Sequence, residues 1–124
     1  MSERRGAVVL LAHGSRDPQW REPFERLRRL LADRLADAFV ELAFLELAEP
    51  GFDEAVARIA ALGKRRVSVV PLFLARGRHV REDIAALVAR AGERFPELEF
   101  RELPALGEAP ALLDAVAAWI AERA

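Results

Sequence analysis

Three apolar runs, each followed by a stretch with helical spacing, constrain the fold of this chain more than any other feature. Ala7-Val8-Val9-Leu10-Leu11-Ala12 contains no polar residue and stops at His13-Gly14-Ser15, the pattern of a strand buried on both faces that ends in a tight turn. Phe39 to Leu45 is a second, weakly alternating run, and Val67 to Leu74 is the third and most apolar. Pro71 lies inside that third run and has no N–H for a ladder, so regular pairing is expected to loosen near Val70. A shorter fourth strand alternates Leu98 and Phe100 with Glu97, Glu99 and Arg101, as an edge strand with one wet face should.

Helices fit between the strands. Asp17-Pro18 and Glu22-Pro23 each offer a start, and Phe24, Leu27, Leu31 and Leu35 then recur at helical spacing to about Asp37. Asp53 can cap a short helix that turns Val56 and Ile59 inward and stops at Gly63. A loop, Ala75 to His79, leads to a helix carrying Glu82 and Asp83 in its first turn and closed by Phe95-Pro96. Pro110 starts a last helix with Leu113, Val116 and Ile120 on one stripe. Strands and helices alternating in this way imply an α/β fold: a four-stranded parallel sheet with helices on both faces, right-handed crossovers and a flavodoxin-like order 2-1-3-4. A length of 124 residues suits one domain, expected to span 1–124.

Composition removes several function classes. With no cysteine, there are no disulfides, thiolate nucleophiles or iron–sulfur clusters, and any metal must be held by nitrogen and oxygen. A net charge of −1 gives no global basic field, so nucleic acid is not an expected partner. The first apolar run is too short to span a membrane and has no signal-peptide pattern, so no membrane association and a cytoplasmic location are expected.

In open α/β sheets, ligands bind beyond the carboxyl ends of the strands, where the strand order reverses. The chain has two histidines, and both fall there: His13 directly after the first strand and His79 in the loop after the third. Glu46 ends the second strand on the same edge. Two imidazoles and a carboxylate make an open site for Co²⁺, Fe²⁺, Ni²⁺ or zinc. Imidazole is also a competent proton acceptor near neutral pH. Inserting a metal into a tetrapyrrole requires both actions, because two pyrrole N–H protons leave as the metal enters. Arg76, Arg78 and Arg81 surround His79, and Arg16 follows Gly14; such a rim fits an acidic ligand, since arginine forks pair well with carboxylates. Gly77 would let the backbone approach a flat ligand, although a turn glycine explains it equally well.

Three ordered motifs resemble the class II chelatases, most closely the short single-domain sirohydrochlorin chelatases of the CbiX/SirB type. They are Leu11-Ala12-His13-Gly14-Ser15-Arg16-Asp17-Pro18, Phe44-Leu45-Glu46-Leu47-Ala48-Glu49-Pro50, and Pro71-Leu72-Phe73-Leu74-Ala75-Arg76-Gly77-Arg78-His79-Val80 followed by Asp83-Ile84. The resemblance implies that His13 is a metal ligand and proton acceptor, that His79 is the second metal ligand, and that Glu46 helps handle metal or substrate. It implies that Leu74, Ala75, Arg76, Gly77 and Arg78 line the tetrapyrrole, with Ser15 and Arg16 beside them. It further implies insertion of Co²⁺ or Fe²⁺, and possible use of Ni²⁺, in a sirohydrochlorin-type tetrapyrrole, with no permanently bound cofactor. Ala85 stands where many members have proline, away from the chemistry.

Two rival readings fit part of this pattern. A histidine phosphatase requires arginine immediately before its histidine, and this chain has Ala12 there. A non-catalytic carrier of metal or tetrapyrrole would use the same pocket without turnover. One four-stranded sheet edge offers such a macrocycle a shelf and not an enclosure. Longer relatives of the family have a tandem copy and this sequence shows none, so a homodimer bordering the carboxyl edge is expected.

Overall fold

The computed structural model describes residues 6–124. Its elements alternate as expected: β1 (Ala7–Ala12), α1 (Pro18–Arg34), β2 (Phe39–Phe44), α2 (Phe52–Ala61), β3 (Arg66–Pro71), α3 (Arg78–Arg94), β4 (Glu99–Glu102), a 3-10 turn (Leu106–Glu108) and α4 (Pro110–Ala121). All strand pairs are parallel, in the order β2-β1-β3-β4.

Alternate residues of β1 feed the two sides of the sheet. Ala7, Val9 and Leu11 join Val67, Val69, Phe73 and the inner faces of α2 and α3, with Val56, Ile59 and Ile84 fully buried. Leu10 and Ala12 join Val40, Leu42, Phe44 and Leu72 on the opposite side, under Trp20, Phe24 and Leu31 of α1. That second side is covered less completely. No residue of α1 is buried, and of the four apolar residues read at helical spacing Leu27 and Leu35 are exposed.

Local chemistry sets the element ends. Asp17 caps α1, its Oδ1 accepting from the Gln19 N–H at 2.9 Å, with Pro18 in the first turn. Gly63, at φ 75°, stops α2 as expected. The cap of α2 is Gly51, not Asp53, which lies in the first turn, where the helix dipole favours its charge. Pro71 does not loosen the β1–β3 ladder: Leu11 pairs with Pro71, and the Leu72 N–H still reaches the Leu11 carbonyl at 2.8 Å. The missing N–H falls on the β4 side, where pairing has already ended at Val69 and Glu102.

A further difference concerns His79. Gly77 caps α3 in an extended conformation and the helix begins at Arg78, so His79 sits in the first helical turn and not in a loop. Helix α4 is exposed along its stripe of Leu113, Val116 and Ile120, and none of its residues is buried.

Candidate functional site at the carboxyl edge

The hydrogen-bond ladder between β1 and β2 continues past the strands. Leu45 N–H donates to the Ala12 carbonyl and Glu46 N–H to the His13 carbonyl, each at 2.9 Å, which makes His13 and Glu46 registered neighbours on the edge. Gly14 makes this possible. Its φ is 111°, and a Cβ there would lie 1.6 Å from the Glu46 carbonyl oxygen, so only glycine allows the two loops to meet. Leu47 follows with φ 64°, a left-handed turn that bends the chain away just after Glu46.

His13 is exposed, and its ring stands edge-on to Phe73, 4.8 Å between centroids at 73°, so an apolar ring fixes its orientation while the nitrogens stay accessible. A cavity of about 380 Å³ opens beside it, lined by His13, Leu45, Glu46, Val80, Asp83, Ala86, Leu87 and Arg90. His79 does not line that cavity, although Val80, the next residue of α3, does. Asp83, quoted from sequence only within the third motif and the helix's opening, and Arg90 also line it, and neither was given a role at the site. Their signal was only helical spacing, at one and three turns beyond His79 on α3. Among the described residues, no group of three His, Asp or Glu side chains converges to hold a metal ion. The structure therefore brings His13 and Glu46 together and sets His79 at the start of the adjoining helix.

The remaining candidates divide. Ser15 is half-buried and accepts from the Asp17 N–H at 3.1 Å, bracing the turn after His13; Arg16 is exposed and makes no ion pair among the described residues. Leu74, 66% exposed, and Ala75 form an open apolar step on the same edge. A Cβ on Gly77 would meet nothing, so this position is open to a flat ligand. Arg78 is exposed and pairs only loosely with Glu82 at 3.4 Å.

Arg76 differs from its neighbours. Its side chain is 8% exposed and bridges Glu102 at 2.7 Å and Glu108 at 3.3 Å. Burial alone would lower the guanidinium pKa, but the hydrogen bonds that Arg76 donates to Glu102 and Glu108 outweigh that and raise the value. Glu108 also accepts from the Ala105 N–H at 2.9 Å; that bond, then Arg76, holds its carboxyl below the usual range. Gly107 completes the clamp, since a Cβ there would lie 1.6 Å from the Leu74 carbonyl oxygen.

The profile of the CbiX family matches residues 7–123. The chain belongs to the CbiX family. It is 40% identical over 82 residues to a sirohydrochlorin cobaltochelatase of Methanopyrus kandleri, covering 66% of this chain and 57% of that protein. It is 33% identical over 109 residues to a chloroplastic sirohydrochlorin ferrochelatase of Arabidopsis thaliana, covering 88% and 48%. The chain thus spans about half the length of these curated relatives. Among solved structures, it is similar to a CbiX protein of Marinobacter aquaeolei VT8 described under cobalamin biosynthesis, with a TM-score of 0.82, 37% identity and coverage of 94% and 95%. It is also similar to the sirohydrochlorin chelatase SirB of Bacillus subtilis subspecies spizizenii in complex with cobalt, with a TM-score of 0.81, 25% identity, and coverage of 97% of this chain but 51% of that one. Among the described residues of this CbiX-family chain, no helix is long and apolar enough to cross a membrane.

Proposed function

We propose that residues 1–124 form one chelatase unit that inserts Co²⁺ or Fe²⁺, and also Ni²⁺, into a sirohydrochlorin-type tetrapyrrole with release of two protons. The observation that carries this reading is His13 held beside Glu46 at the mouth of an open cavity, on the edge where α3 begins with His79. His13 binds the incoming metal substrate and, as it releases the metal to the macrocycle, accepts the two pyrrole protons in turn, and Glu46 provides the adjacent carboxylate that passes each of them to water. His79 is the second metal donor.

The apolar step of Leu74, Ala75 and Gly77 supports the face of the macrocycle, and Arg78 and Arg16 meet its carboxylates. Ser15 braces the turn beneath His13. Arg76 is reassigned: already committed to Glu102 and Glu108, it positions the loop that carries Leu74 and Ala75 and does not bind the substrate directly. A second subunit supplies the other wall around the ligand, and the site operates in the cytoplasm.

Anaerobic absorbance spectroscopy of the purified protein with sirohydrochlorin and each metal in turn tests this reading. The expected result is metallated product beyond one equivalent, faster than the uncatalysed reaction. Product that stops at one equivalent identifies a carrier, and a rate equal to the uncatalysed one overturns the proposal.

A further inference from the structure

Among the described residues, Leu47 is the one non-glycine residue in the left-handed region, at φ 64°. That conformation drives Cβ toward the following carbonyl oxygen, so glycine or asparagine normally takes such a position. Leu47 gains nothing from the fold in return. Its side chain is 51% exposed; Leu45 and Ala48 pack against the two cores, whereas Leu47 joins neither and does not line the cavity. A disfavoured backbone conformation persists only where its surroundings impose it, and such positions cluster at ligand sites.

The surroundings do impose it. Residues 45–50 leave β2 and return, and the Phe44 N–H closes this loop by donating to the Pro50 carbonyl at 2.9 Å. One limb is tied to His13 through the Glu46 N–H, and the other is held by Arg21 of α1, which donates to the Glu49 carbonyl at 2.9 Å. Leu47 stands between the two ties, beyond the end of the sheet. The loop after β3 presents a second leucine in the same manner. Leu74 is 66% exposed, while the Leu106 N–H holds the Phe73 carbonyl at 3.0 Å and Gly107 lies against the carbonyl of Leu74 itself. Because β1 runs between β2 and β3, His13 lies between the two leucines. The strands that carry them are two spacings apart, about 10 Å.

We infer that Leu47 is a binding residue for the tetrapyrrole: with Leu74 it forms a two-point apolar seat that straddles His13 and takes the face of the ring. The inference rests on the chelatase reading above and divides the labour within it. The leucines hold the flat, apolar face, and Arg16 and Arg78 meet the carboxylates at its rim. A single support at Leu74 would let the ring tip toward β2, whereas supports on both sides keep its centre over the imidazole, the geometry that insertion requires. A seat without charge acts through buried apolar area, so its contribution does not depend on ionic strength.

The test compares Leu47→Gly, which removes the side chain and suits the left-handed backbone, with Leu47→Met, which keeps an apolar side chain of similar volume. The intact proteins are titrated anaerobically with metal-free sirohydrochlorin at low and high salt, assayed for insertion and melted. In Leu47→Gly, the dissociation constant and KM should rise about tenfold, equally at both salt concentrations, with kcat within about twofold of wild type and a melting temperature no lower. Leu47→Met should stay near wild type. A lower melting temperature in Leu47→Gly, whatever its affinity, shows that the leucine serves the fold and overturns the inference. So does a loss of affinity that disappears at high salt, or a loss confined to kcat. Equal affinity in wild type and Leu47→Gly overturns the seat and leaves the chelatase reading standing; a wild-type protein that neither binds nor metallates sirohydrochlorin overturns both.

Discussion

The two halves of the carboxyl edge are pinned in the same way and then use their charges differently. On the β1–β2 half, Gly14 lies against the Glu46 carbonyl; on the β3–β4 half, Gly107 lies against the Leu74 carbonyl, and in both a Cβ would sit 1.6 Å from the oxygen. On the first half, His13 and Glu46 stay exposed at a cavity and neither forms an ion pair among the described residues. On the second, Arg76, Glu102 and Glu108 are used up on one another. The contrast separates reacting groups from framework: a site keeps its polar groups available to ligand, whereas a framework satisfies them internally.

The largest effect should come from removing the donors on the open half. His13→Ala and His79→Ala are each expected to abolish catalysed metal insertion while circular dichroism and melting temperature stay unchanged, because both side chains are exposed. A folded variant of either kind with full activity would break the assignment of that residue.

The paired glycines come next. Gly14→Ala and Gly107→Ala should each cost about 3 kcal/mol in urea unfolding, since a carbonyl must move in both. Gly14→Ala should be the worse, because its φ of 111° adds backbone strain. Only Gly14→Ala should also reduce insertion, by displacing His13 from Glu46. Equal losses of activity in the two variants would contradict the division of the edge.

A smaller effect is expected from the arginines, and it sharpens the contrast within one loop. Arg76→Ala should cost about 1–2 kcal/mol of stability, since two carboxylates lose their shared partner and the more exposed of them is partly rescued by water. Arg78→Ala should leave stability unchanged and raise the KM for the tetrapyrrole, its side chain being 82% exposed. The reverse pattern in thermal melts and steady-state rates would mean that Arg76 faces the ligand after all.

Why sequence separated these residues poorly is a matter of range. The strand order, both histidines on one edge and the proximity of Glu46 were legible because period-2 and period-3.6 patterns are local and the ligand edge of a parallel sheet follows from topology. Arg76 and Arg78 are two residues apart and chemically identical, and what distinguishes them lies 26 and 32 positions further along, at Glu102 and Glu108. His79 looked like a loop residue because Gly77 usually signals a turn, yet an extended glycine also caps a helix. The apolar stripe of α4 was legible too, but a stripe says only that something covers it; the chain's own sheet does not.

The smallest predicted effect concerns acid. Glu108 has its carboxyl pKa lowered from 4.5 by the Ala105 N–H and then by Arg76. A carboxylate with a depressed folded pKa contributes stability that is fully present above its unfolded value and is lost as pH falls through the folded one. The clamp on the β3–β4 half should therefore be constant from neutral pH down to about pH 5 and weaken below that. Glu25 on α1 is also lowered: burial would raise its pKa, but the bonds from Arg21 and Arg28 prevail, so total stability falls in the same window for two reasons. Comparison with Glu108→Gln isolates the clamp, because the variant keeps Glu25 and lacks only the titrating group at the turn. The melting-temperature gap between the two proteins should be flat above about pH 5 and shrink below it as Glu108 protonates. A gap that stays constant to pH 3 would show that Glu108 contributes shape and not charge, and the β3–β4 half would then rest on Gly107 and the Arg76–Glu102 pair.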